Sequence, residues 1–256
     1  MQKKYSKVLL LVSLIFIGLY CEKQNSRDDV ISQASEEYLS KIDGTKPGEL
    51  DSLLISGIAS YGAGRKALAV RYFERAYELG DVRGAVKLYE LYNTEKDEEK
   101  IKEWEVKAAE MGDASVQNSL AIRLEEEGDE DKAEFWYLEA IKRGDTYAKR
   151  NLGILYVKQG KVLKAEEIYL QAIIENDNGS MNNLGGLYKT QGKYKEAEIF
   201  YLKAIENRNI DAMYNLGDLY ETYLNDKKKA EYWYKQAEKN GIKEAKVRLK
   251  ELKNAD

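Results

Sequence analysis

The chain has 256 residues, 43% of them hydrophobic and 34% charged, with 41 basic and 45 acidic side chains for a formal charge of −4. Histidine is absent and cysteine occurs once, at Cys21. This excludes an intrachain disulfide and removes the commonest general base and the commonest metal ligand, so no metal and no cofactor is expected.

The N-terminus carries Lys3, Lys4 and Lys7, then an apolar run from Val8 to Tyr20, then Cys21. Helix over that run would span about 20 Å, short of a roughly 30 Å hydrocarbon core, so residues 1–20 are expected to be a secretory signal peptide. A cysteine directly after such a run resembles a bacterial lipoprotein signal. The resemblance implies lipidation at Cys21 and a membrane-anchored protein facing outside the cytoplasm, in the bacterial cell envelope. Tyr20 stands where such signals carry a small residue, which leaves an uncleaved N-terminal anchor as the alternative. Without the first twenty residues the chain keeps 38 basic and 45 acidic residues, a formal −7. A phosphate-backbone binder needs a basic stripe, so nucleic acid is not an expected partner. Residues 21–48 are polar, include the turn-forming Lys46-Pro47-Gly48, and read as a tether with a short helix around Ser35 to Lys41.

From residue 49 to 256 one pattern recurs every 32 residues. Its leucines are Leu88, Leu120, Leu152, Leu184 and Leu216, and its alanines are Ala76, Ala108, Ala140, Ala172 and Ala204, with Ala237 one residue late. A period of this length marks stacked supersecondary units. In the unit from Thr146 to Asp177, the residues Ala148, Leu152 and Tyr156 fall on one helical face, and Ala165, Ile168, Tyr169 and Ala172 on one face of a second helix. Gly64, Gly128, Gly160 and Gly192 would close first helices; Gly80, Gly112 and Gly144 would close second helices, with Asp81, Asp113 and Asp145 capping the next. In later units Asn176 and Arg208 replace the closing glycine. Arg208 suits a left-handed conformation poorly, so Asn207 or Asn209 is expected to absorb that turn. Around Ser56 to Tyr61 the first unit is degenerate, as a terminal cap often is. The helix with Ala245 and Leu249 has no partner and is expected to cap the last unit.

Ala148-x-x-x-Leu152-Gly153-x-x-Tyr156, followed by Lys164-Ala165 and Tyr169-x-x-Ala172, resembles the tetratricopeptide repeat. The short turn Gly144-Asp145-Thr146-Tyr147-Ala148 is more similar to the Sel-one-like branch of that superfamily. Both resemblances imply an all-α, right-handed helix-turn-helix solenoid of about five helix pairs, an atypical first pair and a capping helix. The period is shorter than either family's usual one, and the tetratricopeptide's terminal proline is missing.

Few residues are candidates for chemistry. The runs Glu98-Glu99 and Glu125-Glu126-Glu127 fall near turns and read as solvated, while Asn176-Asp177-Asn178-Gly179 and Gly62-Ala63-Gly64 read as the repeat's own punctuation. The more informative residues precede each leucine: Asn151, Asn183 and Asn215, with Arg150, Asn182 and Tyr214 one step earlier and Asp218 one turn later. In the resembling families this side of the first helix lines the inner surface, where a ladder of amides could hold an extended peptide by paired donors and acceptors. The alternative is that the asparagines bond a neighbouring helix. The function expected is a non-catalytic adaptor for a protein or peptide partner. Its competitors are a cell-wall protein binding glycan or stem peptide, an envelope enzyme, and a purely structural spacer.

Overall fold

The computed structural model describes residues 24–254, so the expected signal peptide and Cys21 lie outside the described residues. Fourteen helices and no strand occur among those described. No described helix is long and apolar enough to cross a membrane. The chain forms two compact units, divided between Met111 and Gly112.

The first unit holds α1 (Gln24–Lys41), α2 (Glu49–Gly62), α3 (Lys66–Glu78), α4 (Val82–Glu95) and α5 (Glu98–Glu110). Helix α1 extends well beyond the short helix expected around Ser35 to Lys41. Ser35, Leu39 and Ile42 are buried, and the Tyr38 ring meets Tyr72 edge-on at 6.3 Å. Arg75 Nη2 donates to the Ile42 carbonyl at 2.7 Å, and Arg71 pairs with Glu36. Spacings of three and four give this charged stretch one apolar stripe, enough to dock it on α3. In the degenerate pair α2/α3, half-buried Ser56 takes the place of the repeating leucine, and Leu53 and Leu54 fill the core instead. Gly57 still serves the packing: a Cβ there would sit 2.3 Å from the Phe73 ring.

The second unit holds three first helices followed by their partners, then a fourth such pair and a cap. The elements are α6 (Ala114–Glu126), α7 (Glu130–Lys142), α8 (Ala148–Lys158), α9 (Val162–Ile174), α10 (Asn178–Thr190), α11 (Tyr194–Glu206), α12 (Asp211–Thr222), α13 (Lys227–Lys239) and α14 (Lys243–Asn254). Each first helix packs on its own second helix, each second helix on the next first helix, and the first helices α6, α8, α10 and α12 also neighbour one another. The repeating leucines form the interior, with Leu152, Leu184 and Leu216 fully buried. Burying each stabilises the array by about 1.5–3 kcal/mol. The alanines Ala165, Ala197 and Ala230 are also fully buried and let the helix axes approach.

The glycine after Leu152, Leu184 and Leu216 has a specific task. A Cβ would lie 2.3 Å from the Tyr169 ring at Gly153, 2.8 Å from Tyr201 at Gly185 and 2.7 Å from Tyr234 at Gly217. The buried tyrosine of the second helix thus lies flat against bare backbone of the first. A second tyrosine fastens each of these three pairs to the one before. Tyr156 donates to Glu134 and Tyr188 to Glu166, both at 2.8 Å, and Tyr220 donates to Glu198. Burial alone would raise the Glu134 carboxyl, but hydrogen bonds from Lys161 and Tyr156 and the charge of Lys164 hold it below the usual range.

The turns close as expected with one correction. Asn176 adopts φ 66°, but so does Arg208, while Asn207 stays at φ −90°. Hydrogen-bond register decides this. Asn207 is fixed by its side-chain Nδ2 on the Lys203 carbonyl, and Asn209 Oδ1 accepts from Ala212 N at 3.1 Å to start α12. The residue between them must reverse the chain, whatever its propensity. The residue that puts Ala237 out of step falls in the four-residue turn between α12 and α13, where Asn225 takes the left-handed place at φ 50°. Helix α14 buries Ala245, Leu249 and Leu252 as the terminal cap.

Candidate functional site

Packing consumes one side of each first helix and leaves another outward. On α8, α10 and α12 the outward row consists of the residues two before, two after and five after the leucine. These are Arg150, Ile154 and Val157; Asn182, Gly186 and Lys189; and Tyr214, Asp218 and Glu221. Spacings of four and three put each triplet on one helical stripe. Contact between consecutive first helices sets the stripes side by side. Arg150, Asn151, Asn182, Asn183, Tyr214, Asn215 and Asp218 are all partly exposed.

The amides bridge helices, and they do so through side chains. Asn151 Nδ2 donates to Asn118 Oδ1 at 3.0 Å, from α8 to α6, and Asn215 Nδ2 donates to Asn182 Oδ1 at 2.9 Å, from α12 to α10. The Asn183 amide faces the Tyr169 hydroxyl; burial raises that hydroxyl's pKa and the amide partly offsets the rise. An amide carries two N–H donors and two acceptor lone pairs, so one bond leaves Asn151 and Asn215 with unused capacity.

The charged candidates are paired within the fold. Arg150 Nη1 lies 3.4 Å from Asp177 Oδ1, and its guanidinium stands over the Tyr147 ring at 5.3 Å. Gly179 makes room for it, since a Cβ there would run into Arg150 Nη1. Asp218 Oδ2 is 2.9 Å from Lys189 Nζ, and Thr222 Oγ1 donates to its other oxygen at 3.3 Å. The Tyr214 ring lies 5.5 Å from that of Tyr234, tilted by 48°.

Sequence reasoning placed these residues on neighbouring helices but missed several that share the surface. Asn118, Lys189, Tyr194 and Tyr223 were not anticipated. The Tyr194 and Tyr223 rings are 5.0 Å apart, and Lys189 Nζ stands 5.9 Å from the centre of Tyr223. Alignment at 32 residues would have found Asn118 beside Arg150, Asn182 and Tyr214. It would not have found Tyr223, which follows the last helical residue of α12. The acidic run before α7 is also less simple than a solvated loop: partly buried Glu125 accepts from Tyr137 at 3.0 Å and pairs with Lys158.

No group of three or more potential metal ligands occurs among the described residues. The exposed face offers amide donors and acceptors, two cation–anion pairs and aromatic edges. These groups suit recognition of a polar chain by hydrogen bonds.

Paired helices stacked in this way form a repeat fold that known proteins share. Residues 179–208 match the tetratricopeptide repeat model. The chain is similar in structure to a protective antigen of uropathogenic Escherichia coli displaying an SLR fold, with TM-score 0.63 and 24% identity over 79% of this chain and 48% of that one. It thus spans about half the length of that antigen. It is also similar to a Sel1 repeat protein from Oxalobacter formigenes, with TM-score 0.55 and 24% identity over 77% of this chain and 91% of that one. A third similar structure is PilW, a widely conserved type IV pilus biogenesis factor, with TM-score 0.56 and 15% identity over 78% of this chain and 98% of that one. No curated protein sequence matches the chain. The fold is that of the tetratricopeptide and Sel1-like repeats.

Proposed function

We propose that this protein is a non-catalytic scaffold that holds a protein or peptide partner against the outward face of α8, α10 and α12. We place it at the bacterial cell envelope, tethered through Cys21. The observation that carries this reading is the division of residues along the first helices. Leu152, Leu184 and Leu216 are spent on packing, while Arg150, Asn151, Asn182, Asn183, Tyr214, Asn215 and Asp218 stay partly exposed on neighbouring helices, Asn151 and Asn215 with hydrogen-bonding capacity to spare. Repeats of this fold serve as protein-binding scaffolds. A pilus biogenesis factor shares the fold, which supports an envelope setting.

A photo-crosslinking amino acid tests it. Placed at Asn183 or Tyr214 in living cells, it should yield a discrete protein adduct. Placed at Leu163 or Ile174, exposed residues of the second helix α9, it should yield none. Adducts from α9 alone would refute the assigned face. Adducts to glycan in place of protein would move the site to the cell wall.

A further inference from the structure

The second helices α7, α9, α11 and α13 each bury one tyrosine against a first helix: Tyr137, Tyr169, Tyr201 and Tyr234. Two of these hydroxyls are hydrogen-bonded, and a third has an amide facing it. Tyr137 donates to Glu125 at 3.0 Å, Tyr234 to Glu221 at 2.7 Å, and Tyr169 meets the Asn183 amide. Tyr201 is 1% exposed, and its hydroxyl has no hydrogen-bond partner among the described residues. The ring is buried, but the hydroxyl oxygen is not one of the fully buried side-chain atoms without a partner, so it keeps access to solvent and can donate outward.

The hydroxyl ends beneath a gap in the side-chain cover of α10. A Cβ built on Gly186 would sit 3.7 Å from the Tyr201 oxygen and within 4 Å of nothing else outside its own helix. The preceding unit carries Ile154 at the same place, and the following unit carries Asp218. Lys189 and Asp218 are paired at 2.9 Å beside the gap, and Tyr223, 44% exposed, stands next to Lys189. Asp218 and Tyr223 both lie near enough to Tyr201 to act on its hydroxyl electrostatically.

We propose that the notch over Gly186 takes the main chain of an extended peptide, whose backbone carbonyl accepts a hydrogen bond from the Tyr201 hydroxyl. This rests on the peptide-binding reading given above and names its anchoring point. Three features select a peptide backbone. A glycine lets another backbone approach closely where a side chain would block it. The notch presents one neutral donor beside a cation and an anion that already neutralise each other, which suits a neutral carbonyl better than an anion or a cation. The Tyr223 ring already has Tyr194 against it and Lys189 over it, so it offers a poor platform for stacking a sugar.

The test uses the full chain purified in detergent. A phage library of random dodecapeptides is panned on it, and the selected peptides are synthesised and titrated by fluorescence anisotropy. The variants are Gly186→Ile, which fills the notch with the residue its neighbouring unit already has, and Tyr201→Phe, which removes only the oxygen. Circular dichroism melts establish that both are folded. The notch predicts that Gly186→Ile weakens binding by about tenfold or more, and Tyr201→Phe by about fivefold, the worth of one hydrogen bond. Peptides that bind parent and both folded variants equally would overturn the notch and leave the peptide-binding reading intact. A library that yields no binder would overturn both. N-acetylglucosamine oligomers that bind in the same format, and are weakened by Gly186→Ile, would give the notch to a sugar and overturn the peptide.

Discussion

Gly185 and Gly186 are neighbours in α10, and replacing each with alanine should shift stability in opposite directions. In a helix interior alanine is favoured over glycine by about 0.5–1 kcal/mol. At Gly186 that gain is kept, because the new methyl meets only the Tyr201 oxygen at 3.7 Å. At Gly185 the methyl would lie 2.8 Å from both Cδ1 and Cε1 of Tyr201, a ring that is buried and cannot swing aside. Overpacking of this kind costs about 1–3 kcal/mol, more than the helix gain. The α6/α7 pair accommodates Ala121 against Tyr137, so the cost is that of shifting a ring and not of expelling it. A net loss of about 0.5–2 kcal/mol follows for Gly185→Ala once the helix gain is deducted from that overpacking cost. With a urea slope of about 2 kcal/mol per molar, the two variants should differ in midpoint by about 1 M. Urea melts followed by far-ultraviolet circular dichroism read the difference directly. Movement of both midpoints in the same direction would refute the reasoning, since nothing else distinguishes two adjacent residues of one helix so sharply.

Other perturbations test other parts of the structure. Arg208→Gly should raise stability by about 1 kcal/mol by relieving a left-handed arginine, and an unchanged or lower urea midpoint would remove that strain from the account. Burial, helped by the hydrogen bond and charge of Glu166, pushes the Tyr188 hydroxyl up to about 12. The fold therefore holds the neutral form: its contribution is full below about pH 10, the unfolded value, and is lost as pH rises through about 12. Melts taken across that window should weaken less steeply for Tyr188→Phe than for the parent, and equal slopes would count against the tyrosine. Leu184→Ala should cost about 2–5 kcal/mol, as loss of a fully buried leucine does; a melt like the parent's would place that leucine outside the core. Cys21→Ser should release the protein from the membrane fraction if a lipid holds it there, whereas continued sedimentation would favour an uncleaved anchor.

The rows that recur at 32 residues were legible because each has one physical job. Leu152, Leu184 and Leu216 fill the same space three times, and Gly128, Gly160 and Gly192 make the same turn. Features that join different rows were not legible. The bond from Tyr156 to Glu134 spans 22 residues and exists only once two pairs have stacked in register. Arg208 takes a positive φ because Asn207 and Asn209 are committed on either side, a constraint that residue propensity does not express. Helix α1 was legible only in part, as the short helix around Ser35 to Lys41; its docking escaped because the stripe of Ser35, Tyr38, Leu39 and Ile42 is thin and lies among charges. Among site residues, the amides of α8, α10 and α12 were found as a series, but their contacts with Asn118, Asn182 and Tyr169 depend on how the helices meet.

The same contrast bears on where function resides in a repeat array. A row that repeats faithfully is explained by packing, so it says little about what the surface binds. Where a unit departs from its row without loss of the fold, packing no longer explains the residue. Gly186 stands where its neighbours have Ile154 and Asp218, and its departure uncovers a tyrosine hydroxyl whose counterparts Tyr137 and Tyr234 are held by glutamates. Lys189 stands where its neighbours have Val157 and Glu221, and it brings a cation to the edge of that same gap. Two departures in one helix, separated by three residues, face the same side. A stack of near-identical units thereby acquires one place unlike the rest, and a partner that binds in a single register requires such a place.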